Sequence, residues 1–189
     1  MHVKDYIYVR QQALSEADCD AILLNTHNYR ENTWAGPDGE ELIKDNDPSI
    51  AEYDESTLLP SGMYLNDIII STAKMYANSY KENLMTLRDV SNGTIHSFAE
   101  GNKFDKHIDN IFALFDGEKK GKPVLSVILS LSSDYEGGDF VFTFPGSEEE
   151  VTYRLNKGDV IYFPSCFIYK HQVMPITKGK RITLVKWMW

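Results

Sequence analysis

The sequence predicts an α+β fold in which helices come first and a sandwich or barrel of short antiparallel strands follows. Two observations carry that expectation. Residues 1–85 show helical spacing of apolar side chains around a long polar interruption, and residues 86–189 break into short apolar runs separated by turn signals. At 189 residues, 42% of them apolar and 25% charged, the chain fits one globular domain: 1–85 as helical support and loop, 86–189 as the β core.

In chain order, Tyr6-Ile7-Tyr8-Val9 reads as a short strand. Ser15-Glu16-Ala17-Asp18 is a capping signature that opens a helix over about 15–28, because the Ser hydroxyl and the Asp carboxylate can satisfy each other's backbone N–H groups. Residues 30–60 hold Pro37, Asp38-Gly39 and Asp47-Pro48 among many acids without a period, which predicts a surface loop or lid. From Ser61 to about Leu84, Met63, Tyr64, Ile68, Ile69, Ala73, Met75, Tyr76 and Tyr80 keep the spacing of a second helix. Strands are expected at 124–131, 140–144, 151–155, 160–163 and 181–189. Gly137-Gly138 and Asn156-Lys157-Gly158-Asp159 read as hairpin turns between them, and Glu148-Glu149-Glu150 as a solvated acidic run.

Composition narrows the function. Nineteen Lys+Arg against 28 Asp+Glu leave a formal charge of −9, the wrong sign for nucleic acid or an anionic membrane. No apolar run reaches the ~18 residues of a membrane span and the amino terminus lacks a signal-peptide core, so a cytoplasmic protein is expected. The two cysteines, Cys19 and Cys166, make neither a disulfide framework nor a CxxC zinc motif, and both are expected to be buried.

The chemistry begins at His107-Ile108-Asp109. On a strand, residues i and i+2 share a face, so an imidazole and a carboxylate can converge on one metal ion. With five His and 15 Asp in the chain, one such pair by chance is unremarkable, and a facial triad needs a second His from a distant strand. His171 in Tyr169-Lys170-His171-Gln172-Val173 supplies it. Ten residues later, Arg181 opens the last strand, with Thr183 on the same face two residues on. A forked donor beside a hydroxyl suits the carboxylate of a small diacid. Singly, each has a bland reading as a core or strand residue. His2 and His27 are assigned no chemistry, Trp187 and Trp189 are read as packing, and His96 shares the parity of Phe98.

At this point the sequence resembles the iron(II)- and 2-oxoglutarate-dependent dioxygenases, in their prolyl 4-hydroxylase-like branch, over about residues 93–189. The resemblance runs from Phe98-Ala99-Glu100-Gly101-Asn102-Lys103-Phe104-Asp105-Lys106-His107-Ile108-Asp109 through Tyr135-Glu136-Gly137-Gly138-Asp139-Phe140 and Phe163-Pro164-Ser165 to His171 and Arg181-Ile182-Thr183. It implies a double-stranded β-helix, a jelly-roll or cupin-like barrel, with iron held by His107, Asp109 and His171. It further implies 2-oxoglutarate as cosubstrate on Arg181 and Thr183 beside Phe98, ascorbate as an accessory, and dioxygen as co-reactant. Phe98 and Phe104 stand where relatives often carry tyrosines, as does Leu129-Ser130. A replacement hydroxyl or ring is then sought among Ser126, Ser130 and His96.

The activity so implied is hydroxylation of a C–H bond, foremost of a prolyl or other peptidyl residue, with release of succinate and CO2. A carboxylate at Asp109 favours hydroxylation over halogenation, which needs that position vacant. A free amino acid or small metabolite is the alternative substrate. Nucleobase demethylation is disfavoured by Trp187, which stands where such relatives tend to carry a second arginine. A non-catalytic cupin-type metal-binding module is the non-enzyme alternative, and it has no use for Arg181.

Overall fold

The computed structural model describes residues 2–35, 41–80, 87, 89–109, 115–116, 120–147 and 149–189. A 3-10 turn at Val3–Tyr6 leads into β1 (Tyr8–Arg10), α1 (Glu16–Leu24), β2 (Thr33–Ala35), β3 (Glu41–Ile43), β4 (Ser49–Glu52) and α2 (Leu65–Tyr80). The remainder is strand: β5 (Thr94–Phe98), β6 (Phe104–His107), β7 (Phe115–Asp116), β8 (Lys120–Gly121), β9 (Leu125–Ser130) and β10 (Tyr135–Gly137). Then come β11 (Phe140–Thr143), β12 (Glu150–Tyr153), β13 (Val160–Pro164), β14 (Lys170–Val173), β15 (Ile176–Gly179) and β16 (Arg181–Met188).

A six-stranded sheet, ordered β1-β13-β9-β16-β5-β4, faces a four-stranded sheet, ordered β12-β11-β14-β6, and every described pairing is antiparallel. This is the double-stranded β-helix arrangement, and its sheets do not close into a barrel. Strand alternation divides the larger sheet into two faces. Ile95, Leu125, Val127, Leu129, Val160, Tyr162, Leu184 and Met188 point outward and pack against Ile22, Leu65, Ile69, Ala73 and Tyr76 of the two helices. Phe98, Ile128, Ile161, Phe163 and Val185 point inward to meet Phe104, Phe140, Phe142 and Val173 of the smaller sheet.

The long acidic stretch differs from the loop expected of it. β4 lies within residues 30–60 and pairs with β5 as an edge of the large sheet, Ile50 opposite His96, and β2 and β3 form a separate hairpin. Ser49-Ile50-Ala51 is only three residues of moderate apolarity, too short for a periodicity signal, and its partner supplies the order. Pro37 and Asp38-Gly39 lie outside the described residues, as does Glu148, while Glu149 and Glu150 are exposed as expected.

Helix α1 starts on its predicted cap: Ser15 Oγ accepts from Asp18 N at 3.1 Å. It stops sooner than position 28, because the Asn25 and Thr26 side chains bond back to the Ala21 and Ile22 carbonyls and Asn28 turns to φ +59°. The Asp18 carboxylate also accepts from Ser61 N at 2.9 Å, tying α1 to the approach of α2. Positions 81–84 of the second predicted helix lie outside the described residues. Cys19 is buried as expected, but Cys166 is exposed, on the connection between β13 and β14.

Beneath α2 the outward face carries one charge that alternation would give to an apolar residue. Lys186 is fully buried, and its Nζ donates to Glu55 Oε1 at 2.6 Å, Asn66 Oδ1 at 2.8 Å and Ser91 O at 3.0 Å. Glu55 Oε1 also accepts from Gly93 N at 2.6 Å, so this group joins the start of β5 to the helical layer.

Candidate active site

The two sheets enclose a cavity of about 300 Å³. On its smaller-sheet side, β6 and β14 pair with His107 opposite His171, and the imidazole centroids lie 4.3 Å apart. β6 ends at His107, so Asp109 comes from the bend beyond it rather than from the strand, and still reaches the same point. Asp109 Oδ1 lies 3.6 Å from His107 Nε2 and 3.5 Å from His171 Nε2. The three donors all fall within 4.8 Å of one another.

The tautomers follow from the strand backbone. Nδ1 of His107 faces Asp105 O at 2.7 Å, and Nδ1 of His171 faces Tyr169 O at 3.0 Å. Each carbonyl accepts the Nδ1 proton, which leaves the Nε2 lone pair directed into the cluster, the arrangement that orients histidine toward a metal. Asp109 Oδ2 is buried without a hydrogen-bond partner. Two imidazole Nε2 atoms turned into the cluster and one buried carboxylate oxygen without a hydrogen-bond partner fit a divalent iron, which takes such a two-histidine, one-carboxylate face.

Burial, with His107 alongside, pushes His171 down to about 4 despite the opposing Asp109 carboxylate. Burial and the nearby Arg181 charge likewise push His96 to about 4. Burial works to raise the Asp109 carboxyl, but the imidazoles and the Ser126 hydroxyl outweigh it and hold Asp109 below the usual carboxylate range. His171 and His96 are thus neutral when folded but take up protons near pH 6.5 when unfolded, so the unfolded chain binds more protons in acid. The metal-free chain is therefore expected to lose stability as pH falls from about 6.5 toward 4, by at most about 1.4 kcal/mol per pH unit for each histidine. Urea unfolding at a series of pH values measures this, and a flat profile over that window would contradict the buried neutral histidines.

The opposite wall is β16. Arg181 and Thr183 point inward beside each other and are almost fully buried, and Phe98 lies across the pair on β5, opposite Arg181. The Arg181 guanidinium sits 5.1 Å over the Phe98 ring and forms no salt bridge among the described residues. All six residues singled out in the sequence, His107, Asp109, His171, Arg181, Thr183 and Phe98, line this one cavity. His96 and Trp187 line it too, so Trp187 does more than pack. His2 and His27 are exposed.

Of the expected replacement groups, His96 is the one that lines the cavity. Ser126 Oγ pairs with Ser165 Oγ at 2.7 Å, and Ser130 Oγ turns to Ser132 O at 3.4 Å. The residue that sequence reasoning missed is Tyr135, whose hydroxyl lies within hydrogen-bonding reach of Arg181 and offsets the burial that lowers the guanidinium's proton affinity. Its neighbour Gly138, at φ +68°, leaves room for the arginine stem, because a Cβ there would sit 3.0 Å from Arg181 Cδ and 2.4 Å from Ile176 Cδ1. The signal was the Gly137-Gly138 pair itself, read as a turn.

Two facing sheets, with a His-Asp-His donor set on one and, on the other, a buried arginine without a carboxylate partner among the described residues, define an iron(II) oxygenase site of the double-stranded β-helix class. The chain belongs to the 2OG-Fe(II) oxygenase superfamily, whose sequence profile matches residues 93–189. It is 30% identical over 117 residues to a PKHD-type hydroxylase of Idiomarina loihiensis, covering 61% of this chain and 50% of that protein. With a PKHD-type hydroxylase of Synechococcus sp. (strain CC9902) it shares 38% identity over 90 residues, 47% of this chain and 36% of the relative. The chain spans about half the length of the curated relatives it matches, or less. Among solved structures, a prolyl hydroxylase from Trichoplax adhaerens in complex with a hypoxia inducible factor oxygen degradation domain peptide fragment superposes with a TM-score of 0.67 at 14% identity. That match covers 97% of this chain and 83% of the other. The viral collagen prolyl hydroxylase of Paramecium bursaria chlorella virus-1 gives 0.61 at 16% identity, over 97% and 94%. At such identities these two likenesses speak for the fold.

Proposed function

We propose that the chain is an iron(II)- and 2-oxoglutarate-dependent hydroxylase of a peptidyl C–H bond, a prolyl residue foremost, releasing succinate and CO2. The observation that carries this reading is Arg181, a buried cation without a carboxylate partner among the described residues, facing the His-Asp-His donors across one cavity. A metal-binding module without an oxo acid would gain nothing from that charge, which costs several kcal/mol to bury.

His107, Asp109 and His171 would hold the iron. When bound, iron(II) supplies redox activation of dioxygen coupled to oxidative decarboxylation of the oxo acid. Arg181 binds the distal carboxylate of 2-oxoglutarate through its guanidinium fork, and Thr183 adds a hydroxyl on the same face. Phe98, Phe104, Ile128, Phe140 and Val185 exclude water, which strengthens the arginine's hold in the low-dielectric cavity.

Support for a peptide comes from the cavity's lining, to which Asn32, Thr33 and Ile50 bring the segment around the β2–β3 hairpin and β4. The PKHD-type hydroxylase relatives support hydroxylation, and the peptide-bound neighbour supports a peptide as its target. The excess of acids, −9 overall and dense over residues 31–55, favours a neutral or basic peptide over an anionic substrate. Ascorbate as accessory reductant and a cytoplasmic setting belong to the same reading. Among the described residues no helix is long and apolar enough to cross a membrane.

Air-free addition of iron(II) and 2-oxoglutarate is expected to give the visible charge-transfer band of a chelated oxo acid. Arg181→Ala should weaken that binding by 2 kcal/mol or more, about thirtyfold at the least, since it removes a charge-assisted contact from a desolvated site. An undiminished band in the variant would refute the cosubstrate assignment. Succinate release stimulated by prolyl peptides, but not by free amino acids or metabolites, then identifies the substrate class.

A further inference from the structure

Arg181 is placed by a segment that has little to hold it in place. β10 is three residues long, pairs among the described residues with β15 alone and is bulged between Glu136 and Gly137, with Gly137 and Gly138 both at positive φ. Yet this segment brings two groups to the arginine: Gly138, against which the stem packs, and the Tyr135 hydroxyl, which faces the guanidinium. A short, bulged strand is the kind of element that loosens first.

Arg154, just after β12, clamps it from outside. Its guanidinium carbon lies 4.2 Å over the Tyr135 ring centroid. One terminal nitrogen donates to Tyr135 O at 2.7 Å, and the other donates to Gly137 O and, at 3.3 Å, to Asp139 Oδ1. The stack and the fork together fix the ring and both ends of the bulge. The Tyr135 hydroxyl is oriented in turn by Leu155 O, 3.5 Å away, to which it donates, so that its lone pairs are left for the inner guanidinium. One phenol therefore has an exposed arginine on its face and a buried arginine at its hydroxyl.

We propose that Tyr135 and Arg154 form a positioning relay for Arg181, which holds the buried guanidinium in register for the distal carboxylate of the oxo acid. In this chain Tyr135 takes the part of a hydroxyl that Leu129-Ser130 does not supply, and takes it from behind the arginine, since Tyr135 does not line the cavity. The relay rests on the proposed reading of the site as one for a 2-oxo diacid.

The test is calorimetric binding of 2-oxoglutarate to the manganese(II)-loaded chain in air-free buffer, with manganese(II) binding to the empty chain as the control. Tyr135→Phe keeps the ring and the stack but removes the hydroxyl, and is expected to weaken 2-oxoglutarate about tenfold while the manganese(II) affinity is unchanged. Arg154→Met, on the exposed side of the segment, should cause the same selective loss to a smaller degree. Arg154→Lys should not restore it, because an ammonium lacks both the fork and the stacking plane. Equal weakening of metal and oxo acid in Tyr135→Phe would mean general loosening and overturn the relay, as would unchanged binding of both. Should Tyr135→Phe fail to fold, Arg154→Met decides by the same two affinities. A wild-type chain that binds manganese(II) but no 2-oxoglutarate would overturn the proposed function itself, and the relay with it.

Discussion

Alanine at His107 is expected to abolish iron binding and 2-oxoglutarate-dependent succinate formation while leaving the fold intact. Removing an outer partner that merely orients a metal ligand commonly costs about 10–100-fold. Removing the ligand itself should exceed that, leaving only Asp109 and His171 of a donor set that spans no more than 4.8 Å. The fold should survive because the His107 side chain is 22% exposed and sits at the end of β6, so its loss leaves no sealed cavity in the core. Metal titration, succinate release and a thermal melt on the same preparation separate the effects. Iron-dependent turnover that persists in the variant would mean that the metal binds elsewhere.

Methionine at Lys186 is expected to have the opposite profile, a large loss of stability with no direct damage to the site. Its side chain points away from the cavity on a strand where Arg181, Thr183, Val185 and Trp187 point inward. Breaking a buried ion pair from one side costs about 3–5 kcal/mol, because the remaining charge stays desolvated. The partner here is Glu55, whose side chain is 23% exposed and keeps its bond from Gly93 N, so the lower end, about 3 kcal/mol, is expected. Adding Glu55→Gln should recover much of the loss, since the amide oxygen can still accept from Gly93 N without a stranded charge. Urea unfolding of the two variants measures both effects. A loss under about 1 kcal/mol for the single change would show that the pair contributes little to holding β16 against the helical layer.

The chemistry was legible because it resides in residue types at short spacings. His107-Ile108-Asp109 and Arg181-Ile182-Thr183 each put two functional groups on one side of the chain, and the strands around them are periodic enough to locate. The order imposed on residues 30–60 was not legible. β4 is four residues without a pattern, and it becomes a strand only because β5 offers it an edge. Lys186 was equally opaque, since a lysine within an apolar strand reads as a solvated edge until Glu55 and Asn66, more than a hundred residues away in the chain, are placed against it.

The same contrast holds for the site. The sequence by itself determined the donor types, the strand parity of Arg181 and Thr183, and the β-rich core that carries them, because these are local properties governed by a period of two residues. Only the tertiary structure decided that β14 lies beside β6 so that His171 stands opposite His107, that two backbone carbonyls take the Nδ1 protons, and that Tyr135 and Arg154 stand behind Arg181. Each of these depends on which strands become neighbours. That choice is made by burying two faces of one sheet at once, a condition on the whole chain that no short window of residues contains.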